Sequence, residues 1–135
     1  MIYLDSCAIV KLVAPEPESQ AIADWLNERT EDALITSVLA EIEVPRALRR
    51  SVPSVLGVVT GVLSSVGRVE IDEPVRATAA AYIDANLRSL DAIHLATAES
   101  LVASGANLTA FVTYDKRLAA AAAEVGFAVV SPGVG

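Results

Sequence analysis

The sequence predicts an α/β fold, with a central parallel sheet of four to five strands and helices on both faces. Three observations predict it. Short runs of strand formers, such as Ile2-Tyr3-Leu4 and Phe111-Val112-Thr113, alternate with longer segments of helical periodicity. The order reads β-α-α-β-α-α-β-α-α-β-α-β, and such alternation joins parallel strands through crossover helices. Finally, 53% hydrophobic residues in a chain of 135 supply one substantial core, hence a single domain over residues 1–135.

Taken in order, the strand Ile2 to Leu4 is interrupted by Asp5-Ser6, and Cys7 to Val13 reads as a helix. Pro15 and Pro17 mark a turn. Glu18 to Arg29 is the next helix, with Ala21, Ile22, Trp25 and Leu26 on one face. Ala33 to Thr36 is a short strand, and Ser37 is placed to cap a helix over Val38 to Arg50. Arg46, Arg49 and Arg50 complement the dipole at its end. Pro45 interrupts its hydrogen bonding, so a bend near Glu41 is expected. Ser54 to Ser65 reads as a helix whose Gly57 and Gly61 share a face, expected to pack into the core in preference to forming a dimer surface. Val69 to Ile71 is a strand and Glu73 to Ala85 a helix with Pro74 in its first turn. Ser89 or Leu90 opens LDAIHLATAESLVASG, which Gly105 ends. Phe111 to Thr113, a helix from Lys116 to about Glu124, and a strand over Phe127 to Val130 complete the chain.

Composition narrows the function. A net charge of −7 argues against a simple basic nucleic-acid binder, an objection that weakens if several carboxylates are metal ligands. With 4% aromatic residues, base stacking on an aromatic platform is disfavoured. One cysteine excludes an intrachain disulfide, and one cysteine with one histidine cannot build the usual zinc site. The apolar stretch from Val52 to Val66 is too short and too rich in Gly and Ser for a membrane span. No basic n-region opens the chain. The expectation is a soluble cytoplasmic protein with no membrane partner.

Three aspartates recur in one setting. Asp5 follows the first strand, Asp115 follows the strand ending at Thr113, and Asp91 lies in the first turn of its helix. Each also suits a structural role as a helix cap or dipole partner. Two of them leave parallel strands at the edge where such folds bind ligands. Glu43, in an apolar stretch with Ile42 expected to face inward, is preferred to Glu41 as a fourth acid. Two charges about 4 Å apart repel by roughly 4 kcal/mol at an effective dielectric of 20. A divalent cation reverses the sign of that cost, and all-oxygen donors suit Mg²⁺ or Mn²⁺. Such a site activates water for in-line attack on a phosphate.

The blocks YLDSCAIVKL, SVLAEIEVPRALRR, LRSLDAIHLATA and FVTYDKRLA resemble, in order and nearly end to end, the signature blocks of the PIN-domain family. The resemblance is closest to the VapC-type toxins of bacterial type II toxin–antitoxin systems. It implies a PIN-like three-layer fold and an acidic, metal-binding catalytic set of Asp5, Glu43, Asp91 and Asp115. Within the second block, Ser37, Glu43 and Ala47-Leu48 match the family frame, and Glu41 does not. Ser6 and Thr113 match neighbouring polar positions that hold water or a carboxylate. Pro45 departs from the family pattern. The resemblance further implies a Mg²⁺- or Mn²⁺-dependent endoribonuclease that leaves a 5′-phosphate and a 3′-hydroxyl, acts as a homodimer and is silenced by a cognate VapB-type antitoxin.

Lys11, Arg46, Arg88, Lys116 and Arg117 lie near these blocks and are candidates for RNA phosphate contacts, although an ordinary solvated charge is the favoured reading of each. The single histidine, His94, three residues after Asp91, reads as a satisfied, partly buried side chain. Its solitude excludes a metal-free ribonuclease working through two histidines. Cys7 reads as a small buried residue behind Asp5. Two rival readings are a receiver-like Mg²⁺-binding phosphoacceptor domain and a catalytically inactive binding module. The first would want paired acids after the first strand, and Asp5-Ser6 meets that poorly.

Overall fold

A computed structural model describes residues 1–135. The elements follow the expected alternation: β1 (Ile2–Leu4), α1 (Ser6–Val13), α2 (Ser19–Asn27), β2 (Leu34–Ser37), α3 (Ala40–Ser51), α4 (Val59–Ser64), β3 (Gly67–Val69), α5 (Glu73–Ala81), α6 (Ser89–Ala103), β4 (Ala110–Val112), α7 (Lys116–Glu124) and β5 (Val129–Val130). The five strands form one parallel sheet in the order β3-β2-β1-β4-β5.

Side chains alternate across a strand, so one sheet feeds two cores. From β1 and β4, Ile2, Leu4, Ala110 and Val112 point to one face. There they meet Ala8 and Ile9 of α1, Ile22 of α2, Val44 and Leu48 of α3, and Val59 and Leu63 of α4. Tyr3 and Phe111 point to the other face and pack with Leu95 and Ala98 of α6 and with Leu118, Ala121 and Ala122 of α7. The result is a three-layer arrangement. Because β1 lies between β2 and β4, the strand order reverses at the β1–β4 pair. In folds of this kind ligands bind at that point, beyond the carboxyl ends of the strands.

Several local expectations are corrected. The segment before α4 is a 3-10 turn over Pro53–Val58, so no single helix runs from Ser54 to Ser65. Gly57 and Gly61 are exposed, and a methyl group added at either would meet nothing within 4 Å. They therefore do not pack into the core. Ile42 is 62% exposed; the buried stripe of α3 is Ala40, Val44 and Leu48. Ser37 ends β2, and its Oγ accepts from the Leu39 amide at 3.1 Å, which closes a turn and delays α3 to Ala40. Pro45 lies inside α3, which spans Ala40–Ser51. The helix from Glu73 stops at Ala81 rather than Ala85. No helix is long and apolar enough to cross a membrane.

Candidate active site

Asp5 leaves the end of β1, where its amide donates to the Val112 carbonyl of β4 at 3.2 Å. Its extended backbone makes it the N-cap of α1, with Oδ1 accepting from the Ala8 amide at 2.9 Å. The capping role expected from the sequence is thus present. Both oxygens carry further donors. Cys7 Sγ lies 3.0 and 3.1 Å from them, and Thr113 Oγ1 donates to Oδ2 at 2.5 Å. Asp5 is only 4% exposed. Burial pushes its carboxyl above the ordinary aspartate value, against the opposing effects of His94, Cys7, Thr113 and Ala8. Burial and the Asp5 charge push the Cys7 thiol well up, so Cys7 serves as a neutral donor.

Asp115 repeats the design one strand over. It caps α7 by accepting from the Leu118 amide at 2.9 Å, and its own amide donates to Thr113 Oγ1 at 3.1 Å. Thr113 therefore links the two strand-end aspartates. Asp91 lies in the first turn of α6 and does not cap it; the preceding Arg88 holds the N-cap position without a side-chain bond. Burial, then the charge of Asp115, raise the Asp91 carboxyl, and Arg88 opposes them. The Arg88 guanidinium stands between the pair, 3.4 Å from Asp91 Oδ2 and 3.4 Å from Asp115 Oδ2.

Glu43 sits on the flank of α3, half-buried. Its Oε1 accepts from Ser6 Oγ at 2.6 Å and lies 2.8 Å from His94 Nε2. Burial pushes its carboxyl up, but the bonds from His94 and Ser6 outweigh that and the net shift is down. Glu41 instead faces Arg68 of β3 at 3.4 Å.

The structure thus brings Asp91 and Asp115 together around one cation and joins Asp5 to Asp115 through Thr113. It sets Glu43 on the Ser6–His94 side. No group of three or more His, Cys, Asp or Glu side chains stands close enough to hold a metal ion between its members. Of the basic candidates, Lys11 is committed elsewhere: it pairs with Glu16 at 3.2 Å and Glu18 at 2.9 Å and lies over the Tyr114 ring. Arg88 is held by the two aspartates, whereas Arg46, Lys116 and Arg117 are exposed. Beside Asp115 a cavity of about 300 Å³ is lined by Cys7, Val10, Lys11, Glu16 and Tyr114.

Two members of this network escape sequence reasoning. His94 is buried as expected, but it touches an acid of the candidate set, 51 positions away. Tyr3 reads as a plain strand residue, yet its hydroxyl lies 2.7 Å from His94 Nδ1. A lone polar tip in an apolar run was the available signal.

Comparison with known proteins matches the PIN domain over residues 2–124. The chain is 55% identical to Ribonuclease VapC35 of Mycobacterium tuberculosis over 133 residues, 98% of both chains. It is 42% identical to Ribonuclease VapC46 of that organism over 131 residues, 97% of both chains. With Ribonuclease VapC47 it shares 41% over 137 residues, 98% of both.

Proposed function

The chain belongs to the PIN-domain family, in its VapC branch, and on that footing we propose that it is a divalent-metal-dependent endoribonuclease, the toxin of a toxin–antitoxin pair. The observation that carries the reading is the Asp91–Asp115 pair at the sheet's switch point, already arranged about a positive charge. The relatives' names supply the substrate class, RNA.

The donor set fits Mg²⁺ or Mn²⁺. All four acids offer hard oxygen ligands, and Mg²⁺ is commonly bound through one or two carboxylates with waters and substrate phosphate completing its shell. A cage of three side chains is therefore not required. Asp91 and Asp115 would hold the ion, with Asp5 and Glu43 at its margin. When bound, it supplies an activated water and charge neutralisation for in-line attack on a phosphodiester.

The remaining work falls to the chain itself. Thr113 fixes the spacing of Asp5 and Asp115 by bonding to both. Ser6 and His94 hold Glu43 as a carboxylate. Lys116 and Arg117 open α7 immediately after Asp115 and present exposed cations to an RNA backbone, with Arg46 on α3 as a further contact. A homodimer and a VapB-type antitoxin complete the proposal, as does a cytoplasmic setting.

The test is cleavage of single-stranded RNA by purified protein with Mg²⁺ or Mn²⁺, compared with Asp91→Asn. Wild-type protein is expected to yield 5′-phosphate ends, and Asp91→Asn to lose roughly 100-fold in rate or more. Equal rates for the two proteins would defeat the reading.

Arg88 allows a second check. Its guanidinium is 66% exposed and holds both acids at long range, so it competes only weakly with an incoming ion. Arg88→Ala is expected to tighten Mn²⁺ binding by about two- to fivefold in calorimetry, the equivalent of one exposed ion pair. Weaker binding would mean that Arg88 supports the site rather than occupies it.

A further inference from the structure

We propose that Tyr3 and His94 form a buried relay that fixes the Glu43 carboxylate, which makes His94 a positioning residue for the divalent-ion site. The inference rests on the metal-dependent reading above.

The direction of each hydrogen bond follows from chemistry. Glu43 is a glutamate at neutral pH, and a carboxylate only accepts. Ser6 Oγ donates to Oε1 at 2.6 Å, and His94 Nε2, 2.8 Å from the same oxygen, must carry a proton to bond there. Ser6 Oγ, 3.1 Å from Nε2, takes a share of that proton. In the neutral ring Nδ1 is then an acceptor, and the Tyr3 hydroxyl is its donor at 2.7 Å. The relay runs Tyr3 O–H to Nδ1, and Nε2–H to Glu43.

Each end is anchored differently. Tyr3 is fully buried in β1, and its ring stacks on Phe111 at 5.0 Å between centroids. His94 is 2% exposed and shares α6 with Asp91, three residues earlier and so on nearly the same face. Glu43 alone of the three reaches solvent, from α3 on the opposite side of the sheet's edge. A long, flexible acid is thereby tied to two fully packed side chains of the core. It is also tied to the helix that carries Asp91. Outer hydrogen-bond partners of this kind commonly tune metal affinity by 10- to 100-fold.

Two substitutions separate the halves of the relay. Asparagine places its amide near Nδ1 and so keeps the Tyr3 side only. Glutamine places its amide near Nε2 and so keeps the donation to Glu43. In Mn²⁺ calorimetry, His94→Asn is expected to lose about tenfold or more in affinity, and His94→Gln to stay within about threefold of wild type. In RNA cleavage the His94→Asn loss is expected in kcat, with KM little changed. Tyr3→Phe, which removes one hydroxyl and keeps the stacked ring, is expected to weaken Mn²⁺ binding severalfold and covers the case in which a His94 variant fails to fold. Wild-type affinity in His94→Asn and Tyr3→Phe, or an equal loss in His94→Asn and His94→Gln, would overturn the relay while leaving the nuclease reading intact. Wild-type protein that neither binds Mn²⁺ nor cuts RNA would overturn both.

Discussion

Asp5→Asn is expected to slow RNA cleavage by roughly 100-fold and at the same time to make the protein more stable. Both effects have one cause. Asp5 is a carboxylate held out of water, and burial raises its carboxyl above the ordinary value in spite of four opposing contacts. Asparagine keeps the shape, and its oxygen still accepts from the Ala8 amide. Its amide can donate to Thr113 Oγ1, which turns to accept. The buried charge is gone, and a gain of about 1 kcal/mol is expected, worth roughly 3–4 °C in Tm for a chain of this size.

The pH dependence carries the sign. A carboxyl whose folded value is raised costs nothing below its unfolded value, near pH 4, and destabilises increasingly as pH rises through the folded value. The stability difference between Asp5→Asn and wild type should therefore be small near pH 3, grow above pH 4 and then level off. Asp91, also raised, contributes with the same sign in both proteins, whereas Glu43 is lowered and loses its contribution as pH falls; both cancel in the difference. Urea denaturation with a chelator present, from about pH 3 to pH 8, measures it. A variant that is less stable than wild type at neutral pH would mean that the Asp5 charge is compensated within the fold.

That trade explains what the sequence could and could not reveal. Asp5 and Asp115 were legible because a strand that ends on an acid before a helix obeys local rules, and both prove to be N-caps. A parallel sheet of four to five strands was legible from runs of Val, Ile, Phe and Tyr at intervals, and five are present. Asp91 was legible as a first-turn aspartate, but its nearness to Asp115 was not, since that depends on the phase of α6 against a distant strand. The partnership of His94 with Glu43 spans elements that no local pattern connects. Gly57 and Gly61 misled because a stripe of small residues looks alike whether a neighbour covers it or not. The 3-10 turn over Pro53–Val58 changes the face they present.

The largest loss of stability is expected from the aromatic row on which the relay stands. Phe111 is fully buried at the centre of β4, in register with Tyr3 of β1 and Val129 of β5. Its ring is stacked on both sides, 5.0 Å from Tyr3 and 5.8 Å from Phe127. Phe111→Ala removes that packing and leaves a cavity, a cost of about 3–5 kcal/mol against a total stability of about 5–15 kcal/mol. Substantial unfolding at 37 °C is the expected result, read from the midpoint of urea denaturation. Phe111→Leu nearly conserves volume and should cost about 1–1.5 kcal/mol, leaving the protein folded. It nonetheless removes the flat surface against which the Tyr3 ring is set, and with it the aim of the hydroxyl at His94. Phe111→Leu should therefore cut RNA more slowly than its folded fraction allows, by on the order of threefold to tenfold. A Phe111→Leu protein with full activity per folded molecule would show that the acids are held in place without help from the sheet beneath them.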